Sequence, residues 1–361
     1  MNHFYTLKVA KIQKVTSEAV KITFEIPSSI QDKFKFKQGQ YLNLKFNFGE
    51  EEFRRSYSII DAPSENSQTL SILVKQMENG TISTFLNQNL KENDEVEVQQ
   101  PMGNFCTNYH ASNQKNYIGI AAGSGISPVL SNLKEALFQE PNAKVLLFLG
   151  NKNSQNILLK EELDALKERF PERFQVTHVL SREPQEDALF EGRITTEKLG
   201  QLLDKNSEIK PEDSTFFICG PTEMIKSTSD FLKKERKVPA LQVLYEYFSA
   251  PDDEDNAEMS EEFKKIPNLE SFVTLIIDDD EYSIHLNSKK ESILDKALKE
   301  NLPVPFACKG GVCCTCKAQV MEGEVFMEKN FALTEDEVAR GFVLTCQCHP
   351  TTNIVMLNYD V

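Results

Sequence analysis

Four cysteines close to one end of the chain restrict its folding most: Cys308, Cys313, Cys316 and Cys346. The run Cys308-Lys309-Gly310-Gly311-Val312-Cys313-Cys314-Thr315-Cys316 fits C-x4-C-x2-C, and the fourth cysteine follows in Leu344-Thr345-Cys346. That spacing is the one that holds a [2Fe–2S] cluster. One tight loop supplies three thiolates, its glycines let backbone N–H groups turn towards the sulfurs, and a distant strand brings the fourth. A structural zinc would instead take Cys313, Cys316, Cys346 and Cys348 as C-x2-C…C-x-C. Zinc leaves Cys308 and the double glycine unexplained, so iron–sulfur is favoured. Cys314 and Cys348 are surplus to four ligands and read as small packing residues beside the cluster, or as scavenging ligands. Nothing at the N-terminus resembles a signal peptide, so reduced thiols and a cytoplasmic location are expected.

At 361 residues the chain has room for two or three domains. With 40% apolar and 26% charged residues it has the composition of a soluble globular protein. No apolar run approaches the roughly 18 residues of a membrane span. The net charge of −15 is uneven. Residues 1–107 carry 12 basic and 13 acidic side chains, 108–250 carry 18 and 20, and 251–361 carry 10 and 22. An acidic cluster-bearing third argues against nucleic acid as a partner and for docking to a basic protein face. Solubility alone is the competing reading, because much of that charge sits in one stretch, Pro251–Glu262.

That stretch is polar, acidic and without hydrophobic period, so it predicts an exposed linker over residues 251–268. Beyond it, Phe272–Ile277 and Tyr282–Leu286 predict two strands joined by an acidic tip, followed by a short helix over Ser292–Glu300 and the cysteine loop. Residues 269–361 are therefore expected to form a small β-grasp (α+β) domain. Residues 109–250 alternate strand and helix patterns, the mark of a doubly wound parallel sheet. The expected strands there are Tyr117–Ala122, Val145–Leu149, Phe174–Leu180, Thr215–Cys219 and Leu241–Tyr247. Residues 1–108 show only short β-rich runs (Ala19–Ile26, Tyr41–Phe46, Arg55–Ile59, Leu70–Lys75, Asp94–Gln99), which predict an antiparallel barrel.

Three motifs carry chemistry besides the cysteines. The strand ending at Ala122 runs into Gly123-Ser124-Gly125-Ile126-Ser127-Pro128 and then a helix. A glycine turn between strand and helix brings backbone close to a phosphate, and the helix start supplies N–H donors. In the first third, Arg55-Ser56-Tyr57-Ser58 fits R-x-Y-S, and Gly80-Thr81-Ile82-Ser83 opens an amphipathic segment after a strand. An arginine with a glycine-led helix start suits a pyrophosphate. Taken singly, Arg55 reads as a surface cation and Tyr57 as a core aromatic. Their order relative to the glycine turn and the cysteine loop is what raises them above that.

In that order the chain resembles the ferredoxin–NADP reductase superfamily, in the arrangement with a C-terminal plant-type [2Fe–2S] ferredoxin domain used by oxygenase reductases. The resemblance spans essentially the whole chain. It implies that Arg55, Ser56, Tyr57 and Ser58 contact FAD, with Val74, and that Gly80, Thr81, Ile82 and Ser83 lie at the FAD pyrophosphate. It implies a nicotinamide nucleotide at Gly123, Ser124, Gly125, Ser127 and Pro128. Cys219-Gly220-Pro221 with Met224 resembles the family's C-G-P-x-x-M element beside the nicotinamide. Glu246 and Phe248 resemble the E-x-F ending that flanks the isoalloxazine. Ser58, Cys219 and Glu246 are thus implied at the site of hydride transfer. On their own, Cys219 is a buried strand-end thiol and Phe248 a core aromatic.

Ser181-Arg182 resembles the S-R element that holds the 2′-phosphate in NADPH-dependent relatives, so NADPH is expected over NADH. Against this, Glu183 adjoins the pair. The cysteine stretch, with Glu322-Gly323-Glu324-Val325 and Gly341–Gln347, resembles the reductase components of phenylacetyl-CoA epoxidases, whose partner is a multi-subunit di-iron oxygenase. The resemblance implies an enzyme that moves electrons from NADPH to FAD, to [2Fe–2S], to an oxygenase. The alternatives are a reductase serving another mono- or dioxygenase, a flavin and cluster redox sensor, and a structural zinc protein with an incidental nucleotide fold.

Overall fold

Antiparallel strands fill the first third of the chain, as its short β-rich runs predict. The computed structural model describes residues 3–49, 51–65, 68–250 and 261–360. The first six strands are β1 (Phe4–Thr16), β2 (Ala19–Glu25), β3 (Tyr41–Phe48), β4 (Glu51–Ser58), β5 (Thr69–Lys75) and β6 (Glu95–Gln99), in the spatial order β4-β3-β6-β1-β2-β5. An isolated pair, Ile59 with Ile72, joins the two ends of that order and closes a barrel. Val20, Ile22 and Phe24 on β2 and Leu70, Ile72 and Val74 on β5 alternate inward and are buried. Helix α1 (Thr81–Gln88) adds Ile82 and Leu86 to the same core.

The next five strands, β7 (Asn116–Ala122), β8 (Lys144–Asn151), β9 (Phe174–Leu180), β10 (Ser214–Cys219) and β11 (Val243–Glu246), form a fully parallel sheet in the order β11-β10-β7-β8-β9. The predicted doubly wound pattern follows from alternation along the strands. Tyr117, Ala121, Phe217 and Cys219 share a core with helices α2 (Ile126–Gln139) and α3 (Lys160–Arg169). Ile118, Ile120, Phe216 and Ile218 share the other with α4 (Thr196–Lys205) and α5 (Thr222–Lys234).

By contacts along the chain, most of residues 1–108 and 109–250 fall within one unit. Tyr5–Phe53 and Tyr57–Phe248 form one unit, and the residues from Ser249 onward, with short segments that include Arg54–Ser56, form the other. Within the first unit α2 joins barrel to sheet. Ala19, Ile60, Leu73 and Phe105 pack in the same core as Ile126, Leu130 and Leu133. Ser131 Oγ donates to the Asp61 carbonyl (2.6 Å) and accepts from the Gly39 N–H (3.2 Å), and Asn132 Nδ2 donates to the Phe105 carbonyl (2.8 Å). Gly39 has φ +76°, and a Cβ there would lie 1.9 Å from the Phe105 oxygen, so no other residue fits.

In the second unit, β12 (Glu270–Ile277), β13 (Asp280–Asn287), β14 (Lys317–Glu322), β16 (Phe342–Leu344) and β18 (Ile354–Asn358) form a mixed sheet in the order β13-β12-β18-β14-β16, and β15 (Val325–Met327) pairs with β17 (Cys348–Pro350). The helix Ile293–Lys299, capped by the Ser292 side chain, covers the core together with Val273, Leu275, Val355 and Leu357. Of the expected linker, residues 251–260 lie outside the described residues. Its last part is not free: residues 261–265 are helical, Phe263 meets His349 edge-on at 4.6 Å, and Lys289 Nζ donates to the Lys264 carbonyl (2.9 Å).

Candidate functional site

The order of the parallel sheet reverses between β7 and β10, and the carboxyl ends of strands at such a reversal open a crevice for ligands. Both expected nucleotide motifs sit there. Gly123-Ser124-Gly125 makes a 3-10 turn from β7 into α2, and Cys219-Gly220-Pro221 leads from β10 into α5. They are in backbone contact: a Cβ on Gly125 would fall 2.3 Å from the Cys219 carbonyl oxygen and 2.7 Å from the Gly220 nitrogen. Cys219 is paired in register with Ala121 on one side and with Glu246 on the other. Met224, on the first turn of α5, lies over Gly220.

Ser58, at the end of β4, donates its hydroxyl hydrogen bond to Glu246. The structure therefore brings Ser58, Cys219 and Glu246 together from three separate parts of the chain. Burial drives the Glu246 carboxyl up to about 8, against the Ser58 hydrogen bond. Burial, then Glu246 itself, raises the Cys219 thiol well above its ordinary range. At neutral pH this centre is uncharged and holds one proton on the carboxyl. Glu246 Oε2 and Ser127 Oγ are both covered and have no hydrogen-bond partner among the described residues. Buried polar atoms are rarely left so, and a bound flavin and nucleotide are the kind of ligand that would satisfy them. Phe248 is 46% exposed and is not a core aromatic.

The remaining expected contacts differ in what they offer. Arg55 and Ser56 lie on β4, with Arg55 exposed and its Nη1 on the Arg54 carbonyl (2.7 Å); Tyr57 packs partly on the barrel core. Gly80 precedes α1, where Ser83 Oγ accepts from the Met77 N–H (3.0 Å) and donates to the Gly80 carbonyl (3.3 Å). Thr81 is exposed, and with Phe48, Asn79, Gly80 and Thr84 it lines a concavity at the start of that helix. The side chains of Val74 and Ile82 are buried in the barrel core, which leaves only their backbone for the expected contact. Pro128 is buried on α2. Ser181 and Arg182 are exposed beyond β9, and their N–H groups donate to the carbonyls of Asn151 (2.9 Å) and Lys152 (2.7 Å).

The four cysteines are assembled by one loop and one strand pairing. Lys317, next to Cys316, pairs with Leu344, and the Thr345 N–H donates to the Cys316 carbonyl (3.1 Å), which sets Cys346 beside the loop. Cys308 and Cys313 sulfurs are 3.1 Å apart, and Cys316 and Cys346 form a second hydrogen-bonded pair. The Cys313 thiol and the N–H groups of Gly310, Val312 and Cys313 hold Cys308 down to about 6. The Cys346 sulfur receives Gln347 Nε2 (3.6 Å) and the Gly311 N–H. Two thiol pairs ringed by N–H donors fit a two-iron cluster. Cys348, the fourth ligand of the zinc alternative, donates to the Leu344 carbonyl (3.1 Å) within the core, and Cys314 donates to the Ala332 carbonyl (3.5 Å).

Two residues at the crevice carried no sequence signal. Asn151 ends β8 with its Nδ2 covered and unpartnered among the described residues, and Ser154 binds the Glu183 carboxylate through both N–H (2.7 Å) and hydroxyl (2.8 Å). Only the parallel pairing of β8 with β9 brings these stretches together.

Three family models match the chain: an oxidoreductase FAD-binding domain over residues 6–107, an oxidoreductase NAD-binding domain over 120–230, and a 2Fe-2S iron-sulfur cluster binding domain over 275–351. The chain is 37% identical over 365 residues to one component of the 1,2-phenylacetyl-CoA epoxidase of Escherichia coli (strain K12), covering 100% of this chain and 99% of that one. It is 27% identical over 356 residues to the ferredoxin reductase component of 3-ketosteroid-9-alpha-monooxygenase of Rhodococcus rhodochrous, covering 98% and 96%. In fold it is similar to phthalate dioxygenase reductase, with a TM-score of 0.57 at 20% identity over 98% of each chain.

Proposed function

The chain belongs to the ferredoxin–NADP reductase superfamily, as an oxygenase-type reductase with a C-terminal [2Fe–2S] domain, and on that premise we propose that it draws electrons from NADPH and delivers them to the di-iron, multi-subunit oxygenase of a phenylacetyl-CoA epoxidase. It is an oxidoreductase that passes electrons from a pyridine nucleotide through FAD to the cluster. Bound FAD would supply a two-electron acceptor for hydride that can release electrons singly, and the cluster held by Cys308, Cys313, Cys316 and Cys346 would supply a one-electron carrier.

The chain's own residues bind, orient and hold a proton. Arg55, Ser56, Tyr57, Ser58 and Val74 are assigned to FAD, with the backbone of Gly80–Ser83 at its pyrophosphate. Gly123–Pro128 takes the coenzyme pyrophosphate, Ser181 and Arg182 take the 2′-phosphate, and Gly220, Pro221, Met224 and Phe248 border the ring site. The observation that carries the reading is the convergence of Ser58, Cys219 and Glu246 at the sheet reversal beside the Gly123–Gly125 turn. Cys308, Cys313, Cys316 and Cys346 are assigned as cluster ligands. The acidic charge of residues 251–361 supports docking to a basic face of the oxygenase. No helix among the described residues is long and apolar enough to cross a membrane, and we place the reductase in the cytoplasm beside its reduced coenzyme.

Anaerobic mixing with NADPH should bleach the flavin absorbance and then raise the electron paramagnetic resonance signal of the reduced cluster. With the purified oxygenase and phenylacetyl-CoA, NADPH should be consumed in step with epoxide formation. Cluster reduction without product, together with turnover of a different oxygenase, would leave the reductase and remove the proposed partner.

A further inference from the structure

Ser181, Arg182 and Glu183 follow β9 in direct succession, so a carboxylate is tied by the chain itself to the pair assigned to a phosphate dianion. One negative charge loose within about 6 Å of such a dianion would weaken its binding roughly tenfold even in water. The same carboxylate, if free, could accept from ribose hydroxyls and favour the coenzyme that lacks the phosphate.

Glu183 is not loose. Its Oε2 accepts from the Ser154 N–H (2.7 Å) and the Ser154 hydroxyl (2.8 Å), and these bonds hold its carboxyl below the ordinary range. The surrounding backbone fixes the pairing, because Ser181 N–H and Arg182 N–H donate to the carbonyls of Asn151 and Lys152, three and two residues short of Ser154. Among the described residues, no carboxylate lies within ion-pair distance of the Arg182 guanidinium. The neighbouring cation Lys152 pairs instead with Glu18 (3.7 Å). The arrangement leaves a serine hydroxyl and a guanidinium open beside a carboxylate that is already occupied.

We propose that Ser154 is a positioning residue for coenzyme choice: by fixing the Glu183 carboxylate on its own N–H and hydroxyl, it withholds that charge from the 2′-phosphate site at Ser181 and Arg182. The inference rests on the NADPH reading given above. Ser154 opens a 3-10 turn after an extended Asn153 (φ −155°, ψ 177°), a position that accepts proline. Ser154→Pro removes both donors, Ser154→Ala removes one, and Ser154→Thr keeps both.

The test measures kcat/KM for NADPH and NADH on the flavin- and cluster-loaded full chain, with ferricyanide as acceptor, at low and high salt. Ser154→Thr should keep the coenzyme ratio. Ser154→Ala should lower NADPH preference about threefold and Ser154→Pro up to about tenfold, the scale of one charge near a dianion. The change should fall on KM rather than kcat and shrink at high salt. Adding Glu183→Gln should restore the ratio, which a merely structural serine would not allow. An unchanged ratio, an equal loss for both coenzymes, or no rescue by Glu183→Gln would overturn the proposal. If the proline variant does not fold, the alanine variant with and without Glu183→Gln decides the matter. Arg182→Ala separates the two levels. Equal loss of both coenzymes in Arg182→Ala removes the 2′-phosphate reading itself. A selective loss of NADPH there, with inert Ser154 variants, removes only the role of Ser154.

Discussion

In the cysteine loop, three of four thiols and most of the N–H groups aimed at them come from the nine consecutive residues Cys308–Cys316. In the strand-end crevice, Cys219 and Glu246 meet only because β10 and β11 hold their register, and Ser58 reaches Glu246 from β4 of the barrel. The loop therefore depends on local backbone conformation, with Lys309 (φ 54°) and Gly311 (φ 72°) both left-handed. The crevice depends on packing at a distance, through α2 and the contact of two glycine turns. A local site can be lost without disturbing the rest, whereas an assembled one fails together with the sheet that assembles it.

The sharpest test of that contrast removes one thiol. Cys316→Ser should abolish the cluster's paramagnetic signal and labile sulfide completely, while FAD content and ferricyanide reduction by NADPH stay near wild type. Loss of FAD in the same variant would show that the loop is not local. A chain ending at Ala250 goes further: the cores of residues 5–248 are complete without the C-terminal unit, so it should fold and reduce ferricyanide but lose nearly all cytochrome c reduction. Failure to bind FAD would break the division into two units.

On the assembled side, Gly125→Ala places a methyl 2.3 Å from the Cys219 carbonyl oxygen and 2.5 Å from its carbon. Backbone cannot yield as a side chain can, so stability should fall by about 1–3 kcal/mol and the KM for NADPH should rise well above tenfold, measured by thermal unfolding and steady-state rates. The smallest effect concerns pH. Because Glu246 is neutral until about 8, flavin reduction by NADPH should slow as pH rises through that value, when a charge appears beside the site of electron arrival. Glu246→Gln should give a flat profile. The folded chain binds this proton more tightly than the unfolded chain, so its contribution to stability is largest in acid and is lost as pH rises through about 8. A flat wild-type profile would mean that the proton plays no part.

The same contrast explains what could be read in advance. Cys308, Cys313, Cys316 and Cys346 declare themselves by spacing, and the turn at Gly123–Gly125 by its place between a strand and a helix. Ser58, Cys219 and Glu246 have no spacing of their own; family motifs named them, and the pairing of β10 with β11 together with the approach of β4 explains why they meet. Strand β1 escapes a reading by pattern because bulges between Val9 and Lys11 and between Lys14 and Thr16 shift its alternation. The shared core of barrel and sheet escapes it because α2 carries two apolar contacts around one helix, which a single amphipathic period does not predict. The bond of Ser154 to Glu183 joins residues 29 apart through side chains that singly look like any solvated serine and glutamate.

Helix α2 is buried along almost its whole length, including Lys134 on Glu65 (3.2 Å) and Glu135 on the Ser64 hydroxyl (2.8 Å). It is thus half of an interface that the barrel cannot do without. Anyone building a chimera by grafting a foreign coenzyme domain onto this barrel at the obvious seam, near residue 108, would sever Ser131 from Asp61 and Asn132 from Phe105. The same helix packs on Tyr117, Leu147 and Phe217 of the sheet, so a foreign domain grafted at that seam has to reproduce both sets of contacts.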